Sequence, residues 1–379
     1  MPSNRQRESS NNMSLGIGII GLSGSGRTTI FNALTGNKAE TGGFGAASAA
    51  HVGMAKVPDD RLEAFTRLFK PKKTTQAEIQ YLDVGASVKA LAKGGGTAGQ
   101  LLMQLAGVDA LLNVVRAFED PAIPHPSGSI DVARDIGEMN LEVAFSDLAI
   151  IEKRFNRIAS SIRGAKPEEK PRLLAEQELM HRLRDELEKD IPIREQKLTE
   201  EEEHLLVGYQ FLSAKPLITL VNIGEAALPK SKQMEAELNQ KFARPNHRVI
   251  VLCGKLEMDL SGLDEASTRD FLKEYGLEQT GLERVIQASY ELLGLISFLT
   301  VGPDEVRAWP VTRGSTAQKA AGKIHSDIER GFIRAEVIGY KELLECGTIA
   351  EAKKRGLLRL EGKTYVVQDG DVVNFLFNV

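Results

Sequence analysis

The stretch LGIGIIGLSGSGRTTIFNALTG, residues 15–36, decides the fold. Its opening, LGIGIIGL (15–22), is short, apolar and β-branched, then breaks into glycine. That pattern predicts a buried strand feeding a loop. TTIFNALTG (28–36) predicts a short helix, with Gly36 as its natural end. Between them, Gly21 and Gly26 stand at the spacing of the pattern G-x-x-x-x-G-K-[ST]. Glycines are needed there so that backbone N–H groups can wrap phosphate oxygens at a helix N-terminus. Gly24 adds flexibility, and Thr28 supplies the hydroxyl that would hold Mg²⁺. Arg27 occupies the lysine position. It keeps the positive charge, but a planar guanidinium is larger and differently shaped than an ammonium. The stretch reads as a phosphate cradle; the alternative is a tight strand-to-helix turn without a ligand.

Working outward, AEIQYLDV (77–84), ALLNVVRAF (110–118), PLITLVN (216–222) and RVIVLCG (248–254) read as further strands. Strands separated by helical patterns imply a parallel sheet with helices on both faces, and ligands at the carboxyl ends of the strands. LDVGA (82–86) places Asp83 at such an end, a candidate Walker B aspartate for Mg²⁺. An ordinary strand-terminal aspartate is the alternative. Where switch-type enzymes carry a glycine three residues later, this chain has Ala86. NIGE (222–225) follows the next apolar strand. GTPases carry N-K-x-D there, and the aspartate accepts two donors from the guanine edge. Glu225 is one methylene longer, which argues against strict guanine reading. A loop that caps the following segment is the bland alternative. CGKLE (253–257) offers backbone contacts to a base.

Residues 140–213 break the alternation. Two amphipathic helical patterns joined at GAKPEEKP suggest an antiparallel helical hairpin, and Thr199 with Glu202 fits a capping box. Residues 297–379 read as strands around one main helix, STAQKAAGKIHSDIERG, a small α+β binding module. The expected organisation is a disordered tail at 1–14, a nucleotide-binding part at 15–139 and 214–296, the hairpin at 140–213 and the module at 297–379. At 379 residues the chain is long enough for two or three domains. A net charge of -4 gives it no broad pull on nucleic acid, and no sequence-specific DNA partner is expected. The two cysteines, Cys253 and Cys346, lack CxxC spacing, which argues against a zinc or disulfide scaffold and suits a reducing, cytoplasmic setting. No apolar run approaches the roughly 18 residues of a membrane span, so no membrane partner is expected.

Taken in order, GLSGSGRTTIFNALTG, VPDDRL (57–62), LDVGASVKALAKGGG and NIGE resemble the YchF/Obg-like ATPases, in the translation-factor-related branch of P-loop NTPases. The resemblance covers about residues 15–379. It is most specific in ELLGLISFLTVGPDEVRAW, AAGKIHSDIERGFIRAEVI and EGKTYVVQDGDVVNFLFNV. It implies an α/β P-loop sheet with a helical coiled-coil insert and a C-terminal ubiquitin-like β-grasp module of the TGS type. It also implies a preference for ATP over GTP, Mg²⁺ as cofactor, and association with the ribosome or a ribosomal subunit. Carried over position by position, Gly24, Ser25, Gly26, Arg27, Thr28 and Thr29 match the phosphate loop. Asn222, Ile223 and Glu225 match the base-reading segment, with Ile223 in apolar contact with the ring. Asp83 matches the metal aspartate. His125, in DPAIPHPSGS, matches a loop histidine that is a candidate for organising the attacking water; a plain exposed loop residue is the equal alternative.

The departures cluster in the catalytic parts. Arg27 replaces the family's lysine. Its metal-ligating threonine falls at Ala47, with Ser48 as a displaced substitute, and Ala86 and Ser87 follow Asp83 where glycine and an apolar residue are the rule. Two readings follow: a slow, Mg²⁺-dependent ATPase, or a non-hydrolysing nucleotide-dependent binding protein.

Overall fold

In the computed structural model the chain is described at residues 15–39, 50–85, 88–93, 97–242, 244 and 246–378. Ala47, Ser48, Ala86 and Ser87 lie outside the described residues. The strands, in chain order, are β1 (Gly16–Ile20), β2 (His51–Lys56), β3 (Lys73–Thr75), β4 (Glu78–Asp83), β5 (Ala110–Ala117), β6 (Leu217–Ile223), β7 (His247–Leu252), β8 (Leu295–Val301), β9 (Glu305–Thr312), β10 (Phe332–Gly339), β11 (Arg359–Glu361) and β12 (Asp371–Phe377).

The chain divides into two compact units. The first comprises Gly16–Gly53 and Tyr81–Val285. Its sheet has the order β2-β4-β1-β5-β6-β7, with β1–β5, β5–β6 and β6–β7 all parallel. Every residue of β1 and β6 is buried, as expected for strands covered on both faces. Helix Arg27–Thr35 starts directly after the glycine loop. It stops where Gly36, at φ 67°, turns left-handed and donates its N–H to the Asn32 carbonyl.

The helical insert opens earlier than its apolar spacing indicates, at Val132–Gly164, because Asp131 caps it by accepting from the N–H groups of Ala133 and Arg134. Helix Lys170–Leu187 packs on it around Ile151, Leu179, Met180 and Leu183. Arg154 clasps Glu176 with two bonds of 2.7 Å across the pair. The capping box of Thr199 and Glu202 forms at helix Glu200–Leu206. The returning chain is fastened by Asp147, which is fully buried and accepts from the N–H groups of Leu212 (2.9 Å) and Ser213 (2.7 Å). Burial pushes that carboxyl up to about 6, against the hydrogen bonds that favour its charge. Among the described residues no helix is long and apolar enough to cross a membrane.

The second unit combines Met54–Gln80 with the tail from Ile286. Its sheet order is β11-β10-β12-β8-β9-β3. β8 and β9 form an antiparallel hairpin, β12 runs parallel beside β8, and helix Ala317–Ile324 covers a core of Phe298, Phe332, Val337 and Phe375. This is the β-grasp arrangement that the family resemblance implies for the tail. The sixth strand differs from the sequence expectation. β3 comes from a segment the sequence places with the nucleotide-binding part, yet it pairs parallel with β9 at Lys73–Glu305 through Thr75–Arg307. VPDDRL adds a second tie between the same segment and the tail. Asp59 caps helix Asp60–Phe69 and holds the Arg61 guanidinium, which also reaches Asp369 at 2.9 Å. Asp369 in turn accepts from the Ser297 N–H.

Candidate nucleotide and cation site

The loop between β1 and helix Arg27–Thr35 is shaped by two close approaches. A Cβ on Gly21 would lie 2.4 Å from the Val114 carbonyl oxygen, and one on Gly26 would lie 2.5 Å from Asn222 Nδ2. Gly26 also sits at φ 91°, where side chains are strained. The helix that follows has no side-chain cap and no acidic residue in its first turn. Its leading N–H groups and dipole are therefore left for an anion. Thr29 belongs to that first turn. Ser25 is buried, and its hydroxyl has no partner among the described residues. The residues thus fit a phosphate group.

The expected cation ligands meet. Thr28 Oγ1 donates to Asp83 Oδ2 at 2.9 Å, although 55 residues separate them in sequence. The N–H of Gly85 donates to the other carboxylate oxygen at 3.2 Å, and Asp83 has no exposed surface. A hydroxyl and a buried carboxylate are hard oxygen donors of the kind Mg²⁺ takes beside nucleotide phosphates. Arg27 lies close by, with Nη2 donating to the Gly85 carbonyl at 3.2 Å. Burial pulls its guanidinium below the ordinary arginine value, opposed by the charges of Asp83 and Glu142. The position thus holds a fork anchored at the end of β4.

The base end is built differently. Asn222 is buried and acts as a strut: Nδ2 donates to the Ser25 carbonyl at 3.1 Å, and Oδ1 accepts from the Gly254 N–H at 2.8 Å. It joins the phosphate loop to the start of helix Gly254–Leu260, where CGKLE lies. Glu225 is exposed and pairs with Lys255 at 3.0 Å. Ile223 is 2% exposed and packs among Val221, Val249 and Cys253, so its side chain is turned into the core.

His125 is anchored at both ring nitrogens. Nδ1 accepts from the Ser127 N–H at 3.1 Å, so Nε2 carries the proton and donates to buried Asp135 at 2.9 Å. Asp135 also accepts from Arg134. The same loop is held by a residue the sequence reading missed. Arg116, buried at the end of β5, donates to the carbonyls of Phe118, Asp120 and Ile123 and lies over the Phe118 ring at 4.7 Å. An arginine inside the apolar run ALLNVVRAF was the available signal, because a buried guanidinium needs partners. His125, Asp135, Arg116 and Ser25 line one small cleft beside the phosphate loop.

Comparison with known proteins points to one family over nearly the whole length. A family profile described as YchF-GTPase_C, a protein of unknown function, matches residues 295–378. A protein of Bacillus subtilis described as ribosome-binding ATPase YchF is 41% identical over 370 residues, covering 97% of this chain and all of the relative. The protein of the same description from Escherichia coli O157:H7 is 36% identical, covering 96% and 99%. The solved structure of the Schizosaccharomyces pombe YchF GTPase superposes with a TM-score of 0.81 at 27% identity, over 96% of this chain and 98% of that one. With the P-loop sheet, the helical insert and the β-grasp tail all in place, the chain belongs to the YchF family.

Proposed function

We propose that this chain is a purine-nucleotide-binding protein of the Obg/YchF type. In this reading it prefers ATP to GTP, hydrolyses ATP weakly with Mg²⁺, and works in the cytoplasm in association with the ribosome. The observation that carries it is the Thr28 hydroxyl on a buried Asp83, directly beyond an uncapped, glycine-rich helix N-terminus. Loop and helix N–H groups cradle the phosphates, and Thr28 and Asp83 hold Mg²⁺. When bound, Mg²⁺ neutralises charge between the β- and γ-phosphates. ATP preference rests on Glu225. One carboxylate oxygen is engaged by Lys255, so the double acceptance that guanine requires is obstructed. The adenine N6 amine needs only one acceptor. The relatives described as ribosome-binding ATPases support both the base and the partner.

Weak hydrolysis follows from the parts. Charge in the transition state spreads over the γ-phosphoryl oxygens, and catalysis there is positioning plus electrostatics. Arg27 shares its charge with the Gly85 carbonyl, and both nitrogens of His125 are engaged by protein groups. Taken to their limit, the same two observations give the second reading, a non-hydrolysing nucleotide-dependent binder. Single-turnover ATP hydrolysis decides between them. Arg27→Lys with Ala47→Thr should turn over faster than the parent; a parent as fast as the repaired variant makes Arg27 a working substitute. Ribosome association is tested by sedimentation of the full chain with ribosomes, with and without nucleotide, and absence of pelleting in both conditions would remove the partner.

A further inference from the structure

Beside the Thr28–Asp83 pair stands a group that the nucleotide reading does not use. His51 opens β2, and its ring packs against Phe31 of the phosphate-loop helix with centroids 6.0 Å apart. Its Nδ1 faces Asp83 Oδ2 at 3.8 Å. That is too long for a hydrogen bond. Nδ1 is nonetheless buried and has no hydrogen-bond partner among the described residues. A buried polar atom left unpaired is costly, so its presence calls for a partner. Two ligand atoms each about 2.1 Å from one ion lie roughly 3.0 to 4.2 Å apart, depending on the angle at the metal. The His51–Asp83 separation falls inside that range.

We propose that His51 completes the cation site: Nδ1 joins the Thr28 hydroxyl and the Asp83 carboxylate as a nitrogen ligand of the nucleotide-bound divalent ion. Mg²⁺ is a hard ion that takes oxygen and gives up its waters reluctantly, whereas Mn²⁺, at the weak-binding start of the first-row transition series, accepts an imidazole nitrogen beside oxygen ligands more readily than Mg²⁺ does. His51 therefore biases the site toward Mn²⁺ over Mg²⁺. The nucleotide's phosphates and water fill the remaining positions. The inference rests on the reading of Thr28 and Asp83 as the cation site of a bound nucleotide.

The test uses the full chain with saturating ADP, and titrates Mn²⁺ by electron paramagnetic resonance in competition with Mg²⁺. His51→Asn should weaken Mn²⁺ binding about tenfold and Mg²⁺ binding less than about twofold. Pulsed spectra of the wild-type Mn²⁺·ADP complex should show a directly bound nitrogen that changes when histidine alone is labelled with ¹⁵N and vanishes in His51→Asn. An unfolding midpoint for the variant shows that it is folded; if it is not, the isotope effect in the wild type decides alone. Mn²⁺·ADP bound without histidine nitrogen coupling overturns the role of His51 and leaves the nucleotide reading standing. If neither ion strengthens ADP binding to the wild type, the Thr28–Asp83 cation site itself is wrong and the His51 inference falls with it.

Discussion

The two ends of the nucleotide site are made of different materials. At the phosphate end the working groups are backbone N–H groups, from the Gly21–Gly26 loop and the helix N-terminus, and an Asp83 with no exposed surface. At the base end one buried strut, Asn222, stands beside a pair in water, with the side chains of Glu225 and Lys255 55% and 78% exposed. Groups fixed before the ligand arrives lose little entropy on binding, whereas exposed long side chains must be ordered. Affinity is therefore expected to come from the phosphate end. The base end sets a preference, and weakly.

The largest effect should come from Gly26→Ala. A Cβ there meets Asn222 Nδ2 at 2.5 Å, from a backbone at φ 91°. The loop must shift by more than its N–H groups tolerate, and ADP affinity should fall on the order of 100-fold, since small misplacements in a preorganised site are expensive. Calorimetry reads it. A Gly26→Ala protein that binds ADP normally would mean that the cradle is soft, and the contrast between the ends would collapse.

Asn222→Ala comes next, because it touches both ends. It leaves the Ser25 carbonyl and the Gly254 N–H without their partner. Orphaning buried groups costs about 1–3 kcal/mol, so the denaturation midpoint should drop and ADP affinity should fall with it. Loss of stability with unchanged affinity would show the ends to be independent. Thr28→Val sharpens the contrast from the phosphate side. Mg²⁺ should then strengthen ADP binding about tenfold less, with metal-free binding little changed.

The phosphate end was legible in sequence because its chemistry is local. Strand, glycine loop and helix are contiguous, and φ-positive glycines at fixed spacing leave a mark that a single chain can show. Asp83 could be read because the end of an apolar strand is itself a position in the fold. The strut role of Asn222 was not legible, since it depends on Ser25 and Gly254, which are 197 and 32 residues away. Ile223 reads as a residue able to wall a base until β6 is seen to turn it inward. β3 escaped for another reason: three residues, Lys-Thr-Thr, carry no apolar alternation, and the strand exists only because β9 offers an edge. Arg61 and Asp369, 308 residues apart, show the same limit. Each charge has an obvious need for a partner, but the sequence does not say which one.

The smallest effect should be at Glu225→Asp, and it bears most directly on what the base end does. Removing one methylene withdraws the carboxylate from Lys255, now 3.0 Å away, and leaves both oxygens open. Two open acceptors suit the adjacent N1–H and N2 amine of guanine, whereas adenine gains nothing from the second. An ion pair this exposed is weak, so the ratio of ADP to GDP affinity should fall by no more than about fivefold. Salt should shrink the difference, because charges in water are screened within about 10 Å at 0.1 M ionic strength. Calorimetry with both diphosphates at low and high salt measures the ratio. If the variant keeps the parent's ratio at both, Glu225 and Lys255 do not read the base. Purine choice would then have to reside in the backbone at the start of helix Gly254–Leu260, which Asn222 holds in place, and the base end would prove as rigid as the phosphate end.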